Sequence, residues 1–238
     1  MTASEYAHSQ RYTDALGWAA ELHSGQRRKG KPVPYISHLI AVSAMVWEDG
    51  GSENQAIAAL LHDAIEDAGQ SQASIEARFG EEVAAIVVDC SDTLGPAELG
   101  AEKEPWLLRK TRYIASLEEK SETSLLVTAA DKAHNARDLL LDSRSDPDGW
   151  DRFTAGLDGS AWYLLRIHQA LSHRLPASRS TALLGEEAGA PWHCSSGVGC
   201  QLPGAARGPS AALIMIWLHQ RSRQLLALLS HLDYGAGH

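Results

Sequence analysis

Apolar residues recur at helical spacing through most of residues 5–175, and strand-like alternation is scarce. A chain patterned this way buries helix against helix, so the expected class is all-α. Tyr12, Ala15, Leu16, Ala19, Ala20 and Leu22 stripe a first helix, which the polar His23–Lys31 segment ends. After Pro34 a second helix starts near Ser37 and carries Val42, Met45 and Val46 to Gly50–Gly51. Ser52 with Gln55 has the capping-box spacing and opens a third helix bearing Ile57, Leu60, Leu61 and Ile65. Ile75 and Phe79 belong to a short helix closed by Gly80. Glu81–Cys90 reads as a further helix, although Val83, Ile86, Val87 and Val88 also suit a strand. Residues 95–104 read as a loop, and helices are expected over 105–119, 123–142 and 151–174, with 145–149 separating the last two.

At Pro176 the composition changes. Residues 176–210 hold four Pro and six Gly among Ala and Ser, which reads as a linker or tail. Residues 211–238 recover a helical stripe in Ile214, Leu218, Leu225, Leu229 and Leu232, expected to dock on its own domain or to make a homo-oligomer contact. The expected organisation is one domain over 1–175, the linker over 176–210, and a C-terminal amphipathic helix over 211–238.

With 238 residues and 44% hydrophobic composition, a sizeable core is affordable and wholesale disorder is excluded. The net charge of −9 argues against general nucleic-acid binding, which rests on many Lys and Arg contacts to phosphate, but leaves room for a small anionic substrate in a local basic pocket. Cys90, Cys194 and Cys200 are an odd number with no CxxC pair, as suits a reducing compartment rather than a disulfide framework. The polar Met1–Gln10 segment lacks the apolar core of a signal peptide. Ala211–Leu218 is the longest apolar run, well short of the roughly 20 residues of a membrane span. A cytoplasmic location without membrane association is expected.

Chemistry concentrates in Leu61-His62-Asp63-Ala64-Ile65-Glu66-Asp67. On a helix His62 and Glu66 lie one turn apart, as do Asp63 and Asp67, so four titratable groups crowd one helix end. Such a cluster is satisfied by solvent or by a cation, and imidazole beside carboxylate suits Mn²⁺, Fe²⁺ or Zn²⁺. His38 stands in an otherwise apolar neighbourhood, where a buried capping role is the plain alternative to a ligand. Asp131 occupies a small-residue helix face and shares a side with Asn135 and Asp138; pairing with a nearby Arg is its plain alternative.

His38, His62-Asp63 and Asp131 together resemble the four ligands of the HD-domain metal phosphohydrolases. In detail the chain resembles the hydrolase domains of the RelA/SpoT homologues, the small alarmone hydrolases. Gly25-Gln26-Arg27-Arg28-Lys29, Pro34-Tyr35-Ile36-Ser37-His38, residues 60–67 and Ala130–Asp138 carry the resemblance, with Cys90-Ser91-Asp92, Pro105–Lys110 and Trp162-Tyr163 in support. It covers about residues 7–172. Leu39, Val33, Ala68, Ala133 and Ala136 depart from the family pattern, and none is a presumed ligand.

The resemblance implies hydrolysis of the 3′-diphosphate of guanosine tetra- or pentaphosphate. It implies a divalent metal, with Mn²⁺ expected, on His38, His62, Asp63 and Asp131. Glu66 is expected to orient a water and handle its proton, and Asp67 to shape the surroundings. Arg28, Lys29, Lys132, Asn135, Arg109 and Lys110 are the candidate phosphate or ribose contacts, and Tyr35 a stacking partner for the base. The alternatives are the same centre acting on an adenine alarmone, a deoxynucleotide or the 2′-phosphate of NADPH, and a non-catalytic nucleotide-binding domain.

Overall fold

The computed structural model describes residues 8–92, 105–146 and 153–190. Helix α1 is Gln10–Leu22, α2 Ile36–Glu48, α3 Glu53–Leu61, α4 Ala64–Ala68 and α5 Gln72–Phe79. They are followed by α6 Glu81–Cys90, α7 Trp106–Ser116, α8 Glu122–Ser145, α9 Gly156–Arg174 and α10 Arg179–Gly189. Extended pairing among the described residues is confined to an isolated bridge between Arg27 and Pro34, so the class is all-α as expected. No helix among the described residues is long and apolar enough to cross a membrane.

The bundle is organised around α3. Every residue from Gln55 to Leu61 is buried, and α1, α2, α6 and α8 all pack against it. A helix apolar on all sides has no solvent face, and Ala56, Ala58 and Ala59 let its neighbours approach closely. The expected capping box forms: Gln55 N–H donates to Ser52 Oγ, and Ser52 N–H to Gln55 Oε1. Gln55 Nε2 also donates to Thr123 O at 3.1 Å, joining the starts of α3 and α8. Gly51 permits the tight α2–α3 corner, where a Cβ would lie 2.6 Å from Val46 Cγ1 and 2.9 Å from Val46 O.

Two expectations are revised. The third helix does not run continuously to Ile65. Asp63 relaxes to φ −99°, ψ 3° and divides it into α3 and α4, a conformation favoured where a side chain is held by tertiary contacts. Gly69, in the left-handed region at φ 64°, then ends α4 directly after the Glu66-Asp67 pair. The second revision concerns the linker expected over 176–210. Residues 179–189 are helical, and the first compact unit continues past 175 to Ala188. Thr181, Leu184 and Ala188 are buried at helical spacing, a stripe masked in the sequence by the surrounding Gly and Pro. The remaining linker and the helix expected over 211–238 lie outside the described residues.

The start of α10 depends on a residue from α2's end. Asp49 accepts hydrogen bonds from Ser178 Oγ at 2.7 Å, Arg179 N–H at 2.6 Å and Ser180 N–H at 3.0 Å. A carboxylate there answers both the unpaired amides and the positive end of the helix. Burial would raise the Asp49 pKa, but these hydrogen bonds outweigh it and hold the carboxyl below its ordinary value. The charged form is therefore the stabilising one, with its contribution complete above the ordinary carboxylate pKa and lost as pH falls through the folded-state value. We expect Asp49→Ala to cost about 1 kcal/mol at neutral pH in denaturant unfolding. The difference from wild type should shrink as pH drops below about 3.9.

Candidate active site

Four side chains converge where α3 ends. His38 comes from α2, His62 and Asp63 from the α3–α4 break, and Asp131 from the middle of α8. His38 Nε2 lies 3.3 Å from Asp131 Oδ1 and 3.9 Å from Asp63 Oδ2. His62 Nε2 lies 3.0 Å from Asp63 Oδ2 and 3.6 Å from Asp131 Oδ1. Both imidazoles are buried, His38 at 1% and His62 at 2% exposure.

Hydrogen bonds on the far sides of the rings set their tautomers. His62 Nδ1 is 2.8 Å from Ala59 O, a carbonyl that can only accept, so Nδ1 carries hydrogen and Nε2 faces the carboxylates. That Nε2 is buried without a properly aligned hydrogen-bond partner. His38 Nδ1 meets His134 Nδ1 at 2.9 Å. Burial beside His38 pushes His134 down to about 4, so it is neutral and able to accept there. Orientation of this kind is how an outer partner aims an imidazole at a cation.

The electrostatics agree with a cation site. Burial favours an uncharged Asp131, but Lys132 and the two imidazoles hold it well below the usual carboxylate range. Asp63 is likewise held low, with burial overcome chiefly by His62. Burial lowers His38, whereas at His62 the carboxylates of Asp63 and Asp131 overcome burial and raise the pKa. A buried and a half-buried carboxylate thus recruit positive charge wherever they find it. Ligand atoms of His38, His62 and Asp131 all lie within 4.8 Å of one another, and Asp63 Oδ2 lies beside them, 3.0 Å from His62 Nε2. The mixed nitrogen and oxygen donors, together with the orphaned His62 Nε2, fit a divalent metal.

Two cavities open beside this centre. The smaller, about 170 Å³, is lined by Asp63, Glu66, Asp67, Asp131, Lys110 and Lys132 among others. The larger, about 440 Å³, is lined by Arg28, Lys29, Trp106, Asn135, Phe153 and Leu164 among others. Tyr35, Asp67, Lys110, Lys132, Asn135 and Tyr163 line both.

The remaining sequence candidates are distributed around these cavities. Tyr35 OH donates to Asp63 Oδ2 at 2.6 Å. Arg28 crosses the Tyr35 ring at 5.6 Å and donates to Asn135 Oδ1 at 2.8 Å and Asp138 Oδ2 at 2.9 Å. Lys29 Nζ lies 5.3 Å from the Phe153 ring centre. Lys132 pairs with Asp131, which overcomes burial and keeps the ammonium charged. Lys110 pairs with Asp92 and lies 4.7 Å from the Tyr163 ring centre. Arg109 also pairs with Asp92, at 2.6 Å, but is not among the residues lining either cavity. Glu66 Oε1 accepts from Asp92 N–H at 2.6 Å and Ser91 Oγ at 3.1 Å. Burial, then the charges of Asp92 and Asp63, raise the Glu66 pKa. Asp67 is exposed and accepts from Gln26 Nε2 at 2.8 Å.

Sequence reasoning did not single out His134 or Asp92 as parts of this machinery. His134 was detectable in principle, since it follows Asp131 by three residues on one helix face. Asp92 is brought to Glu66, Arg109 and Lys110 only by folding.

A family model described as HD domain matches residues 15–149. The chain belongs to the HD-domain family. It is 36% identical over 140 residues to guanosine-3′,5′-bis(diphosphate) 3′-pyrophosphohydrolase MESH1 of Xenopus tropicalis, covering 58% of this chain and 72% of that protein. The Homo sapiens protein of the same name is 34% identical over 140 residues, with the same coverage. A solved structure of a metazoan ortholog of SpoT, described as hydrolyzing ppGpp and playing a role in starvation responses, superposes with a TM-score of 0.60 at 27% identity. It covers 76% of this chain and 95% of the other.

Cys90 borders the smaller cavity, with its sulfur 4.0 Å from Thr128 Oγ1. Burial pushes its thiol up to about 11, which leaves little thiolate near neutrality. In the folded protein at about pH 8, the Cys90 peptide should remain unmodified by iodoacetamide on peptide mapping and become labelled after denaturation.

Proposed function

We propose that this chain is a metal-dependent hydrolase that removes the 3′-diphosphate of guanosine tetra- or pentaphosphate, leaving GDP or GTP and pyrophosphate. The observation that carries the reading is the convergence of His38, His62, Asp63 and Asp131 beside cavities lined by Lys110 and Lys132. The relatives named for this reaction support the choice of substrate.

His38, His62, Asp63 and Asp131 would hold the cation, with Mn²⁺ the ion expected for two imidazoles and two carboxylates. When bound, it supplies Lewis acidity, lowering the pKa of water and drawing charge from a phosphoryl oxygen. Glu66, anchored through one oxygen to Ser91 and Asp92, orients the attacking water and takes its proton. Its environment suits that work, because a raised pKa makes it a stronger base than an ordinary carboxylate. Asp67 borders both cavities and shapes the passage between them.

Lys132 and Lys110 offset the negative charge of the 3′-diphosphate as water adds to its phosphorus and the bond to the ribose 3′-oxygen breaks. Both are held in place beforehand by carboxylates, so little side-chain freedom is lost on binding. Arg28, fastened to Asn135 and Asp138, lines the larger cavity beside Tyr35, and Asn135 serves the ribose. Lys29 lies at the outer rim for a 5′-phosphate. Arg109 acts through Asp92 rather than by touching substrate.

The deciding experiment measures pyrophosphate release from guanosine tetraphosphate by metal-stripped protein, with and without Mn²⁺. An adenine alarmone, a deoxynucleoside triphosphate and NADPH are run in parallel. Release is expected from the guanosine substrate only with metal present, and turnover of another substrate alone would overturn the substrate assignment. Binding without turnover of any substrate would make this a nucleotide-binding domain.

Asp63→Ala should lose both bound metal and activity. Glu66→Ala should keep its metal, read by calorimetry, while kcat falls roughly 10²–10⁴-fold. Full activity in that variant would remove Glu66 from the reaction.

A further inference from the structure

Behind Asp67 lies a chain of side chains that the reading above does not use. Gln26 Nε2 donates to Asp67 Oδ2 at 2.8 Å, and Gln26 Oε1 meets His23 Nδ1 at 2.5 Å. His23 is only 2% exposed and closes α1 as its C-terminal capping residue. Its ring stacks on Tyr35 with centroids 5.3 Å apart and planes 27° apart. Tyr35 in turn donates to Asp63. One buried imidazole therefore backs both Asp67, which lines the two cavities, and Tyr35, which donates to Asp63.

The orientation of the amide follows from charge. An ionised carboxylate only accepts, so Asp67 requires the NH₂ side of Gln26, and the Gln26 carbonyl is left facing His23. That carbonyl also only accepts, so His23 Nδ1 must carry hydrogen. In the neutral ring Nε2 is then a bare acceptor, and it is a buried atom without a hydrogen-bond partner. An unsatisfied buried nitrogen costs stability. Nothing in α1's own packing requires that tautomer; Asp67, through Gln26, does.

The backbone holds the same three parts in register. Gln26 N–H donates to His23 O at 3.0 Å, and Tyr35 N–H donates to Gln26 O at 3.0 Å. The excursion from residue 26 to residue 35 is thereby clamped at its base, with Gln26 seated between His23 and Tyr35.

We propose that His23 and Gln26 are positioning residues that fix the Asp67 carboxylate at the junction of the two cavities, His23 acting through Gln26 and also bracing Tyr35 against Asp63. The effect on turnover rests on the hydrolase reading, whereas the tautomer of His23 does not.

The kinetic test uses four substitutions in the full chain: Gln26→Leu, His23→Phe, His23→Asn and Asp67→Asn. Gln26→Leu and His23→Phe should lower kcat about 10- to 100-fold, the usual scale for an orienting partner, with KM and Mn²⁺ affinity near wild type. His23→Asn places an amide donor where Nδ1 stood and should restore most of the rate. In an Asp67→Asn background, Gln26→Leu should cost nothing further. Additive losses, or full activity in Gln26→Leu, would overturn the proposal.

The second test reads the neutral ring directly. Nitrogen NMR at about pH 8, with His23 identified from the signal missing in His23→Asn, should report hydrogen on Nδ1. Hydrogen on Nε2 would reverse the amide and overturn the clamp, whatever the activity. Hydrogen on Nδ1 in a protein that hydrolyses no substrate would preserve the clamp and defeat the hydrolase reading instead.

Discussion

The cost of keeping carboxylates out of water organises this site. Asp131 sits 6% exposed on α8, and Asp63 faces it from the end of the most deeply buried helix in the bundle. An isolated buried carboxylate is too costly to persist, so charge and hydrogen must be supplied from nearby. Lys132 supplies one ammonium, Tyr35 one hydroxyl, and His38 and His62 two imidazoles whose outer nitrogens are tied to His134 and Ala59. The arrangement is held open on the inside and satisfied on the outside. That is the condition for binding a cation, and removing any one partner exposes the rest to an unpaired charge.

A second tier of acids explains how a chain with a net charge of −9 builds a cavity for anions. Asp92 grips Arg109 and Lys110, while Asp138 grips Arg28 and Lys31. Both acids line the cavities themselves, Asp92 the smaller and Asp138 the larger, and they fix where the positive charge stands. Total charge governs solubility and long-range steering, but recognition is decided within a few ångströms. The same economy places Asp49 under α10, where one carboxylate answers three donors.

Much of this was legible in the chain. The helical repeat marks α1 to α3 and α5 to α9, with α4 read as a continuation of α3 and α6 also open to a strand, because burial of one face imposes the same period wherever it occurs. Ser52 and Gln55 announced the start of α3 through local hydrogen bonds alone. Leu39, Ala133 and Ala136, which depart from the family pattern, are all fully buried, so these changes fall on packing rather than on the four converging side chains. The break at Asp63 was not legible, since no Gly or Pro marks it between Leu61 and Ala68. Nor was α10, whose first turn is completed by a residue on another helix.

By itself, then, the sequence determined the helical class and the run of apolar residues that buries α3, and it singled out the two imidazoles and two carboxylates that folding brings together. Those properties are local, set by side-chain chemistry and by the periodicity of a single helix. The tertiary structure alone decided that His134 orients His38, that Asp92 takes Arg109 and Lys110, and that Gln26 turns its amide toward Asp67. Each of those pairings joins residues on different elements, most of them distant in sequence. Hydrogen-bond direction and charge act over a few ångströms of space, a separation that position along the chain does not encode.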